Sequence, residues 1–176
     1  MAVGSQHLVG MAEIKVASGP AKFTCLGLGS CIGLVALDEQ ADVCGMIHIM
    51  LPEAFKDKPV DKPGKFADTG IPELLRQLES LGAQRNRLVI SYAGGAQVFK
   101  FGSDSNSRMD VGLRNAEAVA VILKSLGLRP LASDVGGSSG RTVTVLSEDG
   151  LVNVRTVNGG EKSLCCLRRN KKGAAA

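Results

Sequence analysis

The first third of the chain alternates short apolar runs with Gly, Pro or charge: "EIKVAS" (13–18), "KFTCLGLG" (22–29), "CIGLVALDE" (31–39) and "VCGMIHIMLP" (43–52). Each is brief and rich in β-branched or apolar residues, which predicts strands. The Lys/Asp/Pro segment 53–68 has no period and predicts a long surface loop. Ile71, Leu74, Leu75, Leu78 and Leu81 then recur at helical spacing, with Pro72 near the start and Gly82 where a left-handed cap sits, so an amphipathic helix is expected. "RLVISYAGGA" (87–96) reads as a buried strand entering a Gly turn, and 114–127 as a second helix with Ala116, Val119, Ala120, Leu123 and Leu126 on its apolar face. Residues 128–140 predict a strand and a glycine-rich turn. "RTVTVLSE" and "LVNVRTV" flank Asp149-Gly150, a hairpin signal. The expected fold is α+β: a mixed or antiparallel β-sheet sandwich covered by two main helices, in a single domain.

Length and composition agree with one core. A chain of 176 residues falls in the range of roughly 100–200 residues typical of one domain. With 44% hydrophobic residues, 3% aromatics and no Trp, aliphatic side chains and Ala must fill the interior, and disorder is excluded for most of the length. Residues 1–167 are expected to form the domain and 168–176, "RRNKKGAAA", a basic disordered tail. Four basic residues of that tail account for the formal net charge of +4, so the remainder is near neutral and no nucleic-acid face is expected. The N-terminus lacks a secretory pattern, and runs such as 118–123 are far shorter than the roughly 20 residues that span a bilayer. The reading is a soluble cytoplasmic protein without membrane insertion. Its five cysteines, at 25, 31, 44, 165 and 166, have no disulfide framework spacing and are expected as free thiols. The vicinal pair Cys165–Cys166 reads as the end of a strand, or as an oxidation-sensitive pair.

The stretch "TCLGLGSCIGL" (24–34) places Cys31 directly after a glycine-alternating run. A thiol attacks as thiolate, and with an ordinary pKa of about 8.5 it needs a base or a positive field. Of the two histidines, His7 lies in an N-terminus expected to be loose, and His48 lies inside a strand. Antiparallel pairing of the Cys31 and His48 strands, joined through "DEQAD", brings the two residues to neighbouring ends. Gly27 and Gly29 let a substrate approach the main chain, where the N–H groups of Ser30 and Cys31 can serve as an oxyanion hole. The competing account makes Cys31 a small buried hydrophobe and His48 a hydrogen-bonded core residue.

Two other chemistries fit less well. Cys25, Cys31, Cys44 and His48 are zinc-ligand types, but their spacing lacks the close Cys pairs of structural zinc sites. "GLGSCIG" lacks the Lys-Ser/Thr ending of a P-loop and precedes a strand rather than a helix.

Taken in order, "LGLGSCIGL", "GMIHIMLP", "KFADTGIPELL", "GGAQVF", "GLRNAEAV" and "DVGGSSGRTV" resemble the chemoreceptor glutamine deamidase family, CheD, from about residue 10 to 157. The resemblance implies a cysteine hydrolase that converts Gln side chains on the cytoplasmic helices of chemotaxis receptors to Glu, with release of ammonia. It also implies a CheC-type response-regulator phosphatase as partner, Cys31 as nucleophile and His48 as general base, and no metal or organic cofactor. The family's third catalytic residue, a Thr six positions before the Cys, is replaced by Cys25, with Thr24 one place earlier. Thr24 faces the opposite side of a strand. Three outcomes are open: Cys25 substitutes weakly, another acceptor orients the His, or activity is reduced. The alternative function is that of a mainly non-catalytic adaptor that binds receptors and the phosphatase. Lys56, Lys58, Lys62 and Lys65 are a candidate contact for acidic receptor helices, or a solvated loop; Phe99 and Phe101 are candidate apolar partner contacts, or core.

Overall fold

The computed structural model describes residues 4–98 and 110–169. Ten strands and two helices follow in the order β1 (Ser5–Leu8), β2 (Ile14–Ser18), β3 (Ala21–Leu28), β4 (Ile32–Asp38), β5 (Val43–Ile49), α1 (Ala67–Ser80), β6 (Val89–Gly94), α2 (Val111–Ser125), β7 (Pro130–Val135), β8 (Arg141–Leu146), β9 (Leu151–Thr156) and β10 (Gly160–Cys166). The strands form two five-stranded sheets, ordered β1-β3-β8-β9-β10 and β2-β5-β4-β6-β7. Most pairings are antiparallel; β1–β3 and β6–β7 are parallel. This is the expected α+β sandwich with both helices on one side.

Three layers explain why β4 and β5 read as unbroken apolar runs: every residue of both is buried, as strands covered on two faces require. Ile32, Leu34 and Ala36 of β4 and Val43, Ile47 and Ile49 of β5 pack under Ile71, Leu74, Leu75 and Leu78 of α1 and Val119 and Leu123 of α2. Alternate residues point the other way. Val35, Leu37, Cys44 and Met46 meet Phe23, Cys25, Leu28, Val143 and Val145 of the second sheet.

Several elements depart from expectation. The N-terminus is not loose: Ser5–Leu8 pairs in parallel with β3, and the His7 ring stacks on Phe23 at 4.9 Å. Four residues are too few for a period-2 pattern to register. Helix α1 begins at Ala67, inside the expected loop, so Pro72 is well inside it. Long-range contacts draw this end in, with Met50 and Leu51 N–H both donating to the Lys65 carbonyl and Asp68 accepting from Ala54 N–H. Helix α2 starts at Val111, three residues early, because the Asp110 side chain accepts from Leu113 N–H at 2.9 Å, an N-cap. At the C-terminus the Arg168 guanidinium donates to the Ser147 carbonyl and pairs with Asp42, and Arg169 N–H donates to Glu39. These two residues of the expected tail are thus tied to the body of the fold.

Candidate active site

β3 leaves its pairing with β8 through a bulge: Cys25 opposes Val143, but Leu28, not Gly27, opposes Arg141. Gly27 takes φ +60° at this point, a conformation that strongly favours glycine. The chain then turns through Gly29, Ser30 and Cys31 into β4. The turn is held by the 94–96 segment, where Gly95 N–H donates to the Cys31 carbonyl at 2.9 Å and Ala96 N–H to the Gly29 carbonyl at 2.8 Å. A Cβ at Gly94 would lie 2.1 Å from the Cys31 carbonyl oxygen, so this close approach needs glycine. Beside the turn opens a pocket of about 490 Å³, walled by Gly29–Cys31, by 96–98 and by 110–112 at the start of α2. Cys31 is half-buried at its wall. Among the described residues, neither Ser30 nor Cys31 N–H donates a main-chain hydrogen bond.

β4 and β5 pair with Ile32 opposite Ile49 and Gly33 opposite His48. Cys31 therefore stands two positions along the ladder from Gly33, the cross-strand partner of His48, as a diagonal neighbour of His48 on the inter-sheet side; such neighbours sit about 7–8 Å apart. The register brings the two residues close, and no hydrogen bond joins their side chains among the described residues. His48 is buried at 4% exposure. Its Nδ1 lies 3.1 Å from the Val9 carbonyl oxygen. A carbonyl only accepts, so Nδ1 carries the proton and Nε2 keeps its lone pair. Burial pushes the imidazole pKa below its ordinary 6.5, outweighing the Val9 carbonyl and Glu13, which act upward. Burial also raises the Cys31 thiol above its ordinary 9.0. Both groups rest neutral at pH 7.

Cys25 lies in the inter-sheet core at 0% exposure, its thiol 3.3 Å from the Met46 sulfur. Burial, with the Cys31 thiol adding to it, pushes its pKa up to about 12. A Cβ on Gly33, the cross-strand partner of His48, would crowd Leu28 Cδ1 at 3.0 Å and touch the Cys25 sulfur at 3.4 Å. The bulge comes after Cys25, so Thr24 stays in register opposite Thr144 and faces away from the site. Cys44 is fully buried with its pKa likewise pushed to about 12. No group of three or more metal-ligating side chains is gathered among the described residues.

One residue at the site had no role in the sequence reading. Asn115 of α2, 0% exposed, donates through Nδ2 to the Ser30 carbonyl at 2.8 Å and to the Met50 carbonyl at 2.9 Å. It joins the turn that carries Cys31 to Met50, just past the end of β5, the strand that carries His48.

A model of the family described as CheD chemotactic sensory transduction matches residues 50–156. A "Probable chemoreceptor glutamine deamidase CheD" of Clostridium novyi is 41% identical over 156 residues, 89% of this chain and 96% of its own. A "Chemoreceptor glutamine deamidase CheD" of Halalkalibacterium halodurans is 45% identical over 157 residues, 89% of this chain and 96% of its own. The chain belongs to the CheD family. A relative named in the same way from Lachnoclostridium phytofermentans is 44% identical and covered over its whole length.

For a CheD-family chain, the surfaces beyond the pocket carry less. Lys58 and Lys65 ammonium groups lie over the Phe55 and Phe66 rings at 5.4 and 5.6 Å, so two of the four loop lysines already have partners. Phe99 and Phe101 lie outside the described residues. No described helix is long and apolar enough to cross a membrane. Cys165 and Cys166 end β10, where Cys166 donates to the Asp149 carbonyl.

Proposed function

We propose that this protein deamidates glutamine side chains on the cytoplasmic helices of chemotaxis receptors, with Cys31 as nucleophile and His48 as general base. The observation that carries the reading is the placement of a half-buried Cys31 at a pocket wall, diagonally across the ladder from a neutral imidazole on β5 whose Nε2 lone pair is left free by the Val9 bond. A carboxamide entering the pocket meets the thiol and the main-chain N–H groups of Ser30 and Cys31 together. As Cys31 sulfur bonds to the carboxamide carbon, His48 Nε2 takes the thiol proton, and the N–H groups hold the oxyanion. Collapse breaks the C–N bond; the departing nitrogen takes the proton from His48 and leaves as ammonia. Water then gives a proton to His48 and attacks the thioester, and collapse returns the proton to Cys31 and frees the glutamate. The route requires neither metal nor organic cofactor.

Gly27 and Gly29 serve this reading by shaping the turn, and the Val9 carbonyl takes the orienting role that the family's Thr would have and that Cys25 fills poorly. The receptor, which gains a negative charge at each converted site, and a CheC-type phosphatase are the expected partners, in the cytoplasm. The adaptor reading rests on Cys25 alone. Replacing Cys31 by Ala separates the two: the deamidase loses turnover and keeps receptor binding, whereas an adaptor changes in neither.

A further inference from the structure

The buried amide of Asn115 occupies a position that the chemistry above does not explain. Its two donations go to Ser30 and Met50 carbonyls, so the amide orientation is forced, and among the described residues its buried Oδ1 has no partner. A buried acceptor without a donor is a cost, which suggests that the geometry imposed by the other end of the amide matters. The Ser30 carbonyl belongs to the same peptide unit as the Cys31 N–H. In a trans peptide these two bonds are antiparallel, so fixing the carbonyl toward Asn115 Nδ2 fixes the N–H in the opposite direction. Among the described residues that N–H has no main-chain acceptor, and Cys31 lines the pocket.

We propose that Asn115 is a positioning residue for the oxyanion donor: its Nδ2 holds the Ser30–Cys31 peptide plane so that Cys31 N–H is presented to the tetrahedral intermediate. The second donation, to Met50 just past the end of β5, anchors the same amide on the strand that carries His48. The role rests on the deamidase reading and adds to it a residue 85 positions from the peptide it holds. Without the tether the plane is free to rotate, and donor and oxyanion lose alignment. Misplacement on this scale costs about 100-fold in the chemical step.

The test compares wild type with Asn115→Ala on a receptor cytoplasmic fragment, measuring kcat and KM for deamidation and, separately, alkylation of Cys31 by iodoacetamide. Alkylation is a displacement at saturated carbon and needs no oxyanion hole. The expected result is a fall of about 100-fold in kcat, with KM and the Cys31 alkylation rate within about twofold of wild type. A kcat that stays within a few-fold overturns the proposal. Alkylation that falls in step with kcat overturns it as well, since that marks a general loss of structure. If wild type itself does not deamidate, the failure belongs to the parent reading. Should Asn115→Ala not fold, wild type labelled with 15N and treated with a peptide carrying an aldehyde in place of the Gln carboxamide gives the answer by NMR. A downfield move of the Cys31 amide proton on thiohemiacetal formation is expected, and an unmoved Cys31 amide contradicts the donor role.

Discussion

His48 Nδ1 donates to the Val9 carbonyl oxygen across 3.1 Å. Val9 is itself 1% exposed and pinned by its own N–H donating to the Thr24 carbonyl at 2.8 Å. The acceptor is therefore part of the framework, and it selects one tautomer without any side chain. In a 15N-resolved spectrum of wild type near pH 7, His48 should show a protonated Nδ1 and an unprotonated Nε2. The opposite tautomer would remove the base from the account.

The two resting pKa shifts make a pH prediction with a definite sign. The lowered imidazole value keeps Nε2 free below pH 6.5, so the acid limb of kcat/KM should fall at a pH under 6.5. The raised thiol value means that Cys31 alkylation should reach its midpoint above pH 9.0. A midpoint near neutrality would instead indicate a resting thiolate–imidazolium pair. His48→Ala should lower kcat/KM by about 10²–10⁴ while leaving this midpoint above 9.0.

Cys25→Thr should change kcat by no more than about threefold. The side chain at this position faces the Met46 sulfur at 3.3 Å, a weak acceptor, and a buried hydroxyl there loses about 1–3 kcal/mol of stability. Val9 already orients the imidazole. A tenfold rise in turnover would show that the carbonyl is insufficient and that the hydroxyl was missed.

Asp38→Asn tests whether stability and chemistry separate along β4. Asp38, at the end of the strand opposite Cys31, is about 20 Å away by strand rise. Its buried carboxylate accepts from Gln40, Ala41 and Gln84 N–H and pairs with Arg87 at 2.7 Å. Burial alone would raise its pKa; the Arg87 guanidinium and the main-chain donors win and hold it below 3.8. Its contribution is thus complete above pH 3.8 and is lost as pH falls through the lower folded value. The variant should lose about 3 kcal/mol by urea unfolding at pH 7, with kcat unchanged.

What the sequence made legible follows from how local each signal is. The Cys31–His48 relationship could be read because one short connection sets the register of β4 and β5. Val9 and Asn115 could not: a main-chain carbonyl has no residue-type signature, and Asn115 reaches Ser30 across 85 positions. An Asn inside an amphipathic helix looks like any polar helix residue until its carbonyl partners are known. The early starts of both helices had the same cause at shorter range, since the Asp110 cap and the Lys65 carbonyl bonds act outside the apolar period.

The most direct measurement is peptide mass spectrometry of a chemoreceptor cytoplasmic fragment incubated with the protein and, in parallel, with Cys31→Ala. The account predicts Gln-to-Glu conversion by the intact protein and a loss of about 10⁴-fold or more in the variant, whose melting curve stays close to wild type. Equal conversion by both would remove Cys31 as nucleophile, and no conversion of a fragment that binds would leave the adaptor reading in its place.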